Sequence, residues 1–388
     1  MKARILPLLL LSSCTQASPE DVGLPRWSDA QLASLRHWLD AAPRDGLPRP
    51  DSTVLDAAIE DGNAVATSQE ATALAVNLAR AHLLGCAAQA ERRGWFIADT
   101  DDPAPLRAGL EQALASGGNL DAYYSGLQPE NPDYAALRSA LAGETDPARR
   151  ATIARNLDRW RWLPQALEGD RVVVNVPAFE VGLWRGGTRV RSWPAVVGKP
   201  ATPTPAFNAT ISGVIFNPWW ELPPSIVREM SGRLSSRRGY VRSGGRWRQR
   251  PGPGNSLGQM KLAMPNRYNV YLHDTPSKGL FGHASRAYSH GCVRVEDAIG
   301  FAETLLRGAK PRSEIDRLLA AGEPVTVPLP GNLPVYVAYF TASPGASGSV
   351  AYHPDVYGRD MAIADPTSAG RTCGTWLAGP DKGPAASP

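Results

Sequence analysis

The sequence predicts an α+β protein in which an α-helical N-terminal part precedes a β-rich domain folded as a sandwich or barrel. Three observations predict this class. Apolar residues recur at spacings of three and four from Trp27 to about Arg161, which is the period of a helix. From about Gly169 the pattern changes to short β-branched runs. Little helix separates those runs, which argues against a doubly wound parallel sheet.

The helical part is predicted to cover residues 27–165 as a scaffold domain. Its clearest periodic segments are DAQLASLRHWLDAA, TALAVNLARAHLLGCA and DYAALRSALAG. Pro129 and Pro132 interrupt the helical pattern, and Asp146-Pro147 precedes a further helix, ARRATIARNLDRWRWL. Each segment has an apolar stripe that must be buried against a neighbour, so these helices are expected to pack together.

The β-rich domain is predicted to cover residues 166–345. The segments expected as strands are RVVVNVPAF, FEVGLWRGG, TRVRSWPAVVG, ATISGVIFN, NVYLHD and, after residue 326, PVYVAYFTA. Gly186-Gly187 is expected to form a hairpin turn, and Glu296–Gly308 a helix. Residues 346–365 are expected to complete the scaffold. Residues 366–388, rich in Gly, Pro and Ala, are predicted to be a disordered tail.

An insertion at residues 221–258 is rich in Pro, Gly and Arg. It carries eight arginines between Arg228 and Arg250, opposed among the charges in that span by Glu229 alone. Two interpretations are open for this stretch. It is either a solvated loop or a flexible cap whose positive field attracts an anionic or carboxylate-bearing substrate.

Composition sets limits on the class of protein. The chain has 388 residues, 43% of them hydrophobic, which excludes disorder along its full length. With 41 basic and 37 acidic residues, the net charge of +4 is too small to indicate nucleic acid as a partner. Beyond the extreme N-terminus, no apolar run approaches the roughly 18 residues that span a bilayer. Composition alone therefore predicts a mildly basic globular protein.

The first fourteen residues, MKARILPLLLLSSC, have the layout of a secretory signal: two basic residues, an apolar stretch, then small residues. Leu11-Ser12-Ser13-Cys14 also resembles the bacterial lipobox, in which the cysteine is acylated and becomes the first residue of the mature chain. We therefore expect lipidation at Cys14 and attachment to the outer membrane of a Gram-negative bacterium, facing the periplasm. An ordinary cleaved signal and a misassigned start remain alternatives.

The four cysteines are Cys14, Cys86, Cys292 and Cys373, and no two of them form a CxxC pair. A disulfide scaffold or a zinc ribbon is therefore not expected. With Cys14 lipidated, at least one of the other three must stay unpaired within the monomer. Cys86 lies in an apolar helical context and is expected to be a small core residue. Cys373 either is incidental or pairs with Cys86.

The residues that indicate chemistry surround Cys292. His273-Asp274 closes a strand-like run, and Cys292 follows in the string Ser289-His290-Gly291-Cys292-Val293-Arg294. A thiol must lose its proton to attack a carbonyl, so nucleophilic acyl transfer needs an imidazole as base and a third group to orient it. Gly291 permits a tight turn of the kind that forms an oxyanion hole. Spacing alone leaves open a structural cysteine or a zinc site built from these residues and His283.

The string His273-(15 residues)-Ser289-His290-Gly291-Cys292-Val293-Arg294 resembles the active-site signature of the L,D-transpeptidases, the YkuD-type peptidoglycan enzymes. The chain is most similar to their long, YcbB-like branch over about residues 75–363. The blocks that carry this resemblance are residues 156–164 (NLDRWRWLP), 197–200 (VGKP), 216–220 (FNPWW), 223–226 (PPSI), 271–276 (YLHDTP) and 357–360 (YGRD).

The resemblance implies an activity. Cys292 would attack the carbonyl of the third, diaminopimelate residue of a peptidoglycan tetrapeptide stem and release D-alanine. An amine of a neighbouring stem would resolve the thioester into a 3-3 cross-link. The roles carried over from the family pattern are His273 as general base, Asp274 as the group that orients it, and Arg294 as support. His290, Gly291 and Cys292 itself would shape the oxyanion hole. Carbapenems would acylate Cys292, and no cofactor or metal is implied.

The same resemblance implies the substrate contacts. The residues expected to bind substrate are Tyr271, Ser289, Trp219, Trp220 and Lys199. One departure from the branch affects this expectation: Leu141 and Asn156 lie only fifteen residues apart, where a peptidoglycan-binding module is commonly inserted. A second departure is the lipobox, which suggests an enzyme held at the outer membrane.

Three further functions remain open from the sequence. The first is a carboxypeptidase or a hydrolase of lipoprotein cross-links that uses the same Cys/His site and transfers the acyl group to water. The second is a metal-dependent peptidase. The third is a lipoprotein that binds the cell wall without catalysis.

Overall fold

The computed structural model describes residues 24–98, 100–117, 119–345, 348–368 and Cys373. Within these ranges the chain divides into two compact units. The first contains the described residues up to Asp40 together with Pro50–Arg80 and Pro103–Gly126. The second contains Ala41–Arg49, Ala81–Asp102 and the described residues from Leu127 onwards. The signal and lipobox predicted for residues 1–14 lie outside the described residues.

The first unit is helical. Its helices are α1 (Asp29–Ala41), α2 (Thr53–Glu60), the greater part of α3 (Ala64–Leu84), α4 (Leu106–Ala115) and α5 (Asp121–Ser125). They bury one apolar stripe each, as their spacing predicts. The rings of Trp38 on α1 and Tyr124 on α5 lie 4.9 Å apart, and the Trp38 indole donates a hydrogen bond to the Asp121 carboxylate at 2.8 Å.

One helical stretch in the described part of the chain, Ala64–Glu91, is long and apolar enough by composition to cross a bilayer. It contains no long uninterrupted apolar run, because polar residues are scattered through it. In the structure, 67% of its most apolar window is buried inside the protein. A core helix of a globular domain has the same property.

Two helices lead into the sheet of the second unit. These are α6 (Pro132–Gly143) and α7 (Pro147–Trp160). The Asn131 side chain accepts a hydrogen bond at the start of α6, and the Asp146 side chain accepts one from the backbone of Arg149 at the start of α7. Residues 144–146 alone connect the two helices, which leaves no room for an inserted module at this point.

The second unit also contains fourteen described strands. They are β1 (Arg171–Asn175), β2 (Glu180–Arg185), β3 (Thr188–Gly198), β4 (Phe207–Phe216), β5 (Trp220–Glu221), β6 (Tyr240–Ser243), β7 (Arg246–Gln249), β8 (Met260–Ala263), β9 (Leu272–His273), β10 (Ala287–Ser289), β11 (Val293–Val295), β12 (Val325–Ala338), β13 (Ala342–Pro344) and β14 (Val350–Tyr352).

Nine of these strands form one sheet in the order β10-β3-β11-β9-β8-β4-β12-β1-β2. An additional pairing between β2 and β3 closes the sheet into a barrel-like sandwich. Strand β12 pairs in parallel with β1 and antiparallel with β4. The interior is filled by buried apolar side chains, among them Val174, Ile211, Leu272 and Val335. The predicted fold class, helices followed by a β-rich sandwich or barrel, is confirmed.

The Arg-rich insertion is folded rather than a long loop. Strands β5, β7 and β6 form a small sheet in that order. Helix α8 (Pro224–Glu229) lies between β5 and β6 along the chain. The insertion's own core consists of the buried side chains of Leu222, Ile226 and Tyr240. The arginines between Arg228 and Arg250 are exposed, apart from Arg248, which is half-buried. We call residues 221–258 the cap.

Two further helices, α9 (Ala298–Leu305) and α10 (Arg312–Ala321), follow β11. Cys86 is fully buried, as expected of a core residue. It forms a disulfide with Cys373, which resolves the alternatives left open for the tail cysteine. Most of the tail predicted from residue 366 lies outside the described residues. Cys292 is a free thiol.

Candidate active site

A glycine turn places Cys292 at the start of β11. Gly291 has φ of 113°, a conformation that side-chain-bearing residues rarely adopt. The Ser289 hydroxyl donates to the Cys292 carbonyl at 2.5 Å and accepts from the Gly291 N–H at 3.1 Å. Ser289 is only 2% exposed. Its hydroxyl therefore holds the turn closed, and a contact with substrate would require this turn to open.

Three basic side chains form a row across neighbouring strands beside this turn. The strand register aligns Lys261 on β8 with His273 on β9, and His273 with Arg294 on β11. Leu272 and Val293, which directly precede His273 and Arg294 on their strands, are fully buried in the core. Because side chains alternate between the two faces of a sheet, the basic row lies on the face opposite the core. We call Lys261, His273 and Arg294 the basic row.

His273 is buried, and its Nδ1 lies 2.5 Å from the backbone carbonyl oxygen of Asp274. A carbonyl only accepts hydrogen bonds, so Nδ1 carries the proton and Nε2 is left as the basic nitrogen. Burial, together with the charge of Arg294, lowers the pKa of His273 to about 4. The imidazole is therefore neutral across the physiological pH range.

The carboxylate of Asp274 points elsewhere. It accepts hydrogen bonds from the Gln259 N–H at 2.8 Å and from the Lys278 ammonium at 2.5 Å. Gly258 makes this possible, because a Cβ at that position would overlap the carboxylate. Its backbone carbonyl, not its carboxylate, is the part of Asp274 that contacts His273.

The Cys292 thiol is partly exposed and donates to the carbonyl of Asn269 at 3.7 Å. Burial raises its pKa, while the Tyr271 N–H and the charges of Arg294 and Lys261 act in the opposite direction. Neutral thiol and neutral imidazole are therefore the resting forms. Within the described part of the chain, no hydrogen bond joins Cys292 to His273.

His290 is directed towards the cap. Its Nε2 lies 2.8 Å from a carboxylate oxygen of Glu229 on α8 and 3.3 Å from the ammonium of Lys199. The hydrogen bond from His290 lowers the pKa of Glu229. Lys199 and His290, both expected at the site, thus lie in contact. Glu229 of the cap joins them, although it was not predicted as a site residue.

The two tryptophans of the FNPWW block lie at the base of the cap. The Arg248 guanidinium lies 4.6 Å from the ring centre of Trp219. Trp220 is part of β5 and packs against the small core of the cap. Tyr271 lies on β9's N-terminal side, with the ammonium of Lys261 4.7 Å from its ring centre.

Comparison with known proteins identifies the β-rich part. Residues 169–327 match the model of the YkuD family, described as the L,D-transpeptidase catalytic domain. This part of the chain is therefore similar to an L,D-transpeptidase catalytic domain. Residues 23–141 match a family described as a scaffold domain.

A curated relative from Haemophilus influenzae, whose name assigns it provisionally to the L,D-transpeptidases, is 30% identical over 239 residues. The match covers 54% of this chain and 48% of the relative, so the chain spans about half the length of that protein. Among solved structures, an L,D-transpeptidase from Mycobacterium smegmatis is 19% identical, with 44% of this chain and 58% of that chain covered and a TM-score of 0.25. An L,D-transpeptidase from Enterococcus faecium is 15% identical, with 46% and 52% covered and a TM-score of 0.23.

In the β-rich domain, Lys261 was not predicted from the sequence as a site residue. Its strand, Met260–Ala263, is too short and too ordinary in composition to attract notice. The available signal is a single lysine between buried apolar residues, Met260 and Leu262. Burial lowers the pKa of Lys261, and the proximity of Cys292 opposes that shift. Lys261 thus adds a second cation to the surroundings of the thiol, beside Arg294.

Replacing this lysine tests its influence on the thiol. Lys261→Met keeps the length of the side chain and removes its charge, so the pKa of Cys292 is expected to rise and the thiolate fraction at neutral pH to fall. The rate of alkylation by iodoacetamide, measured against pH, should fall severalfold at neutral pH and recover at high pH. Lys310→Met, whose lysine pairs with Glu314 instead, is the matched control. An unchanged rate profile for Lys261→Met would contradict this electrostatic influence.

The contact between the cap and the turn at Cys292 gives another expectation. Glu229→Gln removes the charge that faces His290 and Lys199, so the cap should be held less firmly. Because the pair is exposed, the change in steady-state rates is expected to be small, about twofold to fivefold. Hydrogen exchange in residues 221–258 should become faster, which mass spectrometry can measure. Glu314→Gln, which breaks a half-buried pair between Lys310 and the first turn of α10, should leave that exchange unchanged.

Metal ligands are not assembled in the described ranges. Across residues 24–98, 100–117, 119–345, 348–368 and Cys373, no group of three or more His, Cys, Asp or Glu side chains is placed to hold a metal ion. His283, one of the residues considered for zinc, contacts the hydroxyl of Tyr288 at 2.8 Å through Nδ1.

Proposed function

We propose that this chain is a peptidoglycan L,D-transpeptidase in which Cys292 is the nucleophile and His273 the general base. The observation that carries the proposal is the placement of Cys292 beside the basic row, at a glycine turn of an L,D-transpeptidase catalytic domain. The donor would be a tetrapeptide stem and the product a 3-3 cross-link.

The resting protonation states define the first step. A neutral thiol beside a neutral imidazole indicates that proton transfer accompanies attack, rather than preceding it as a stored ion pair. Nε2 of His273 takes the thiol proton while sulfur bonds to the diaminopimelate carbonyl carbon. The Asp274 carbonyl holds the ring in the required tautomer and orientation. Arg294 and Lys261 stabilise the negative charge that develops on sulfur.

The remaining steps follow from the same groups. The tetrahedral oxyanion collapses, the bond to D-alanine breaks, and the imidazolium returns its proton to the leaving amine. The thioester on Cys292 is then attacked by the side-chain amine of a neighbouring stem, with His273 again taking a proton. The sulfur leaves as thiolate and regains its proton, which closes the cycle. An arginine-rich cap is suited to stems that carry several carboxylates.

Product analysis tests the proposal. The full chain is incubated with purified disaccharide-tetrapeptide, Cys292→Ala serves as the control, and mass spectrometry identifies the products. Cysteine-dependent dimers that have lost one D-alanine are expected. Cysteine-dependent tripeptide monomer alone would instead indicate a carboxypeptidase, since the acyl group would then pass to water. Absence of both products would contradict the proposed activity.

We also propose that the protein is exported and anchored to the outer membrane through a lipid on Cys14. This proposal is supported by the sequence of residues 1–14 alone. Metabolic labelling with a radioactive fatty acid should mark the wild-type chain and leave Cys14→Ser unlabelled. Labelling of neither protein would contradict the anchor.

A further inference from the structure

Thr204 holds the peptide that precedes the reactive sulfur. Its side chain is fully buried, and its hydroxyl donates to the carbonyl of Gly291 at 2.8 Å. The same oxygen accepts the N–H of Gly198 at 2.9 Å. A hydroxyl has one proton, and an N–H can only donate, so these two partners fix the direction of the Thr204 hydroxyl.

This contact sets the direction of the Cys292 N–H. The carbonyl of Gly291 and the N–H of Cys292 belong to one trans peptide, so they point in opposite directions. Holding the carbonyl against Thr204 turns the Cys292 N–H away from it. The Gly291 N–H is already bonded to the Ser289 hydroxyl, whereas no hydrogen bond between described residues uses the Cys292 N–H. The donor left for an oxyanion next to sulfur is therefore the Cys292 N–H.

Thr204 is itself held by hydrogen bonds with two residues of the YGRD block, Tyr357 and Arg359. The Tyr357 hydroxyl donates to the carbonyl of Gly198 at 2.6 Å and accepts the N–H of Thr204 at 3.2 Å. The Arg359 guanidinium donates to the carbonyl of Thr204 at 3.2 Å. The Tyr357 N–H in turn donates to the hydroxyl of Tyr339 at 2.9 Å. The YGRD block is thereby connected to the catalytic turn.

Gly198 completes the arrangement. A Cβ at this position would overlap the backbone of Thr202 and Thr204. The chain can therefore turn back and pack this tightly against residue 198 only because that residue is a glycine. Within the VGKP block, Gly198 therefore has a structural role that is separate from the contact of Lys199 with His290. This packing brings the N–H of Gly198 and the hydroxyl of Thr204 into contact.

We propose that Thr204 is a positioning residue for acyl transfer. It orients the Gly291–Cys292 peptide so that the Cys292 N–H faces the oxyanion, and Tyr357 holds Thr204 and Gly198 in place. The inference rests on the proposed function, because an oxyanion forms only when Cys292 attacks a carbonyl carbon.

Two reactions of the same thiol separate positioning from other effects. Acylation by a carbapenem passes through an oxyanion, whereas alkylation by iodoacetamide occurs at a saturated carbon and does not. Both rates are measured by intact-protein mass spectrometry on the full chain at one pH. Thr204→Val keeps the shape and removes the donor, Thr204→Ser restores it, and Tyr357→Phe removes the supporting hydroxyl.

Thr204→Val is expected to slow acylation by about tenfold to a hundredfold while alkylation stays within about twofold of wild type. Thr204→Ser should restore acylation to within about threefold of the wild-type rate, and Tyr357→Phe should slow acylation more mildly than Thr204→Val. If Thr204→Val fails to fold, as seen by circular dichroism, Tyr357→Phe decides the question by the same two rates.

Equal slowing of both reactions would overturn the inference, because it would indicate a general change around the thiol. Wild-type acylation in Thr204→Val and Tyr357→Phe would also overturn it. A wild-type chain that is alkylated but acylated by neither carbapenem nor tetrapeptide would overturn the proposed function, and this inference with it. A loss confined to the variants leaves the proposed function standing.

Discussion

Cys292→Ser is expected to abolish acyl transfer from the tetrapeptide, with a loss of at least about 10³-fold, while leaving the fold intact. The substitution changes one atom at a partly exposed position, so packing is hardly affected. A serine hydroxyl is a far weaker acid than a thiol, and burial lowers the pKa of its base, His273, to about 4. Such a weak base cannot deprotonate an alcohol at a useful rate.

Turnover of disaccharide-tetrapeptide by Cys292→Ser, followed by mass spectrometry, measures this effect. Cys292→Ala defines the background, and thermal unfolding of all three proteins should give closely similar transitions. Turnover near the wild-type rate in Cys292→Ser would contradict the assignment of the nucleophile. Turnover near wild type in Cys292→Ala would exclude covalent catalysis at this position.

His273→Ala is expected to slow the acylation of Cys292 by about two to four orders of magnitude. The reason is that Nε2 of His273 is the basic nitrogen left by the hydrogen bond from Nδ1 to the Asp274 carbonyl. Since the pKa of His273 is lowered to about 4, the ring stays unprotonated down to that pH. Acylation by the wild-type chain should therefore fall on the acid side near pH 4, and not near 6.5 as for an exposed histidine.

Stopped acylation reactions analysed by intact mass, over a range of pH, provide the measurement. His290→Ala is the matched control, because His290 bonds to Glu229 and Lys199 on the side of the cap. It should retain acylation to within about tenfold. Normal acylation in His273→Ala with a large loss in His290→Ala would reverse the two roles. An acid limb near pH 6.5 would show that the base is more exposed than His273 is.

Long elements with regular patterns were predicted well from the sequence. The helical segments and the β-branched runs of β1 to β4 are present, because their apolar periods reflect which face is buried. The first half of β12 was missed. Pro328 and Pro330 lie within it, and its register with β4 is interrupted between Pro328 and Leu333. Proline usually argues against an inner strand, so only tertiary pairing reveals this one.

The site was only partly predictable for a related reason. Cys292, His273 and Gly291 stand out because their residue types indicate chemistry. Lys261 and Thr204 do not, because an isolated lysine or threonine is common in any strand or loop. Their significance comes from register and hydrogen bonding: Lys261 aligns with His273, and the hydroxyl of Thr204 contacts the carbonyl of Gly291. Neither relation has a local sequence signal. The strands within the cap were not predicted, because short strands rich in arginine carry little periodicity.

The position of β12 has a consequence for how the chain reaches this fold. It pairs with β1, near the beginning of the catalytic domain, and with β4, yet it is synthesised after nearly all of that domain. Closing so long a segment is entropically costly, and pairing between strands distant in sequence is slow to form. Until Val325–Ala338 is available, the edges of β1 and β4 stay open to other chains. Nascent chains and truncations ending before Val325 should therefore depend on chaperones and tend to aggregate.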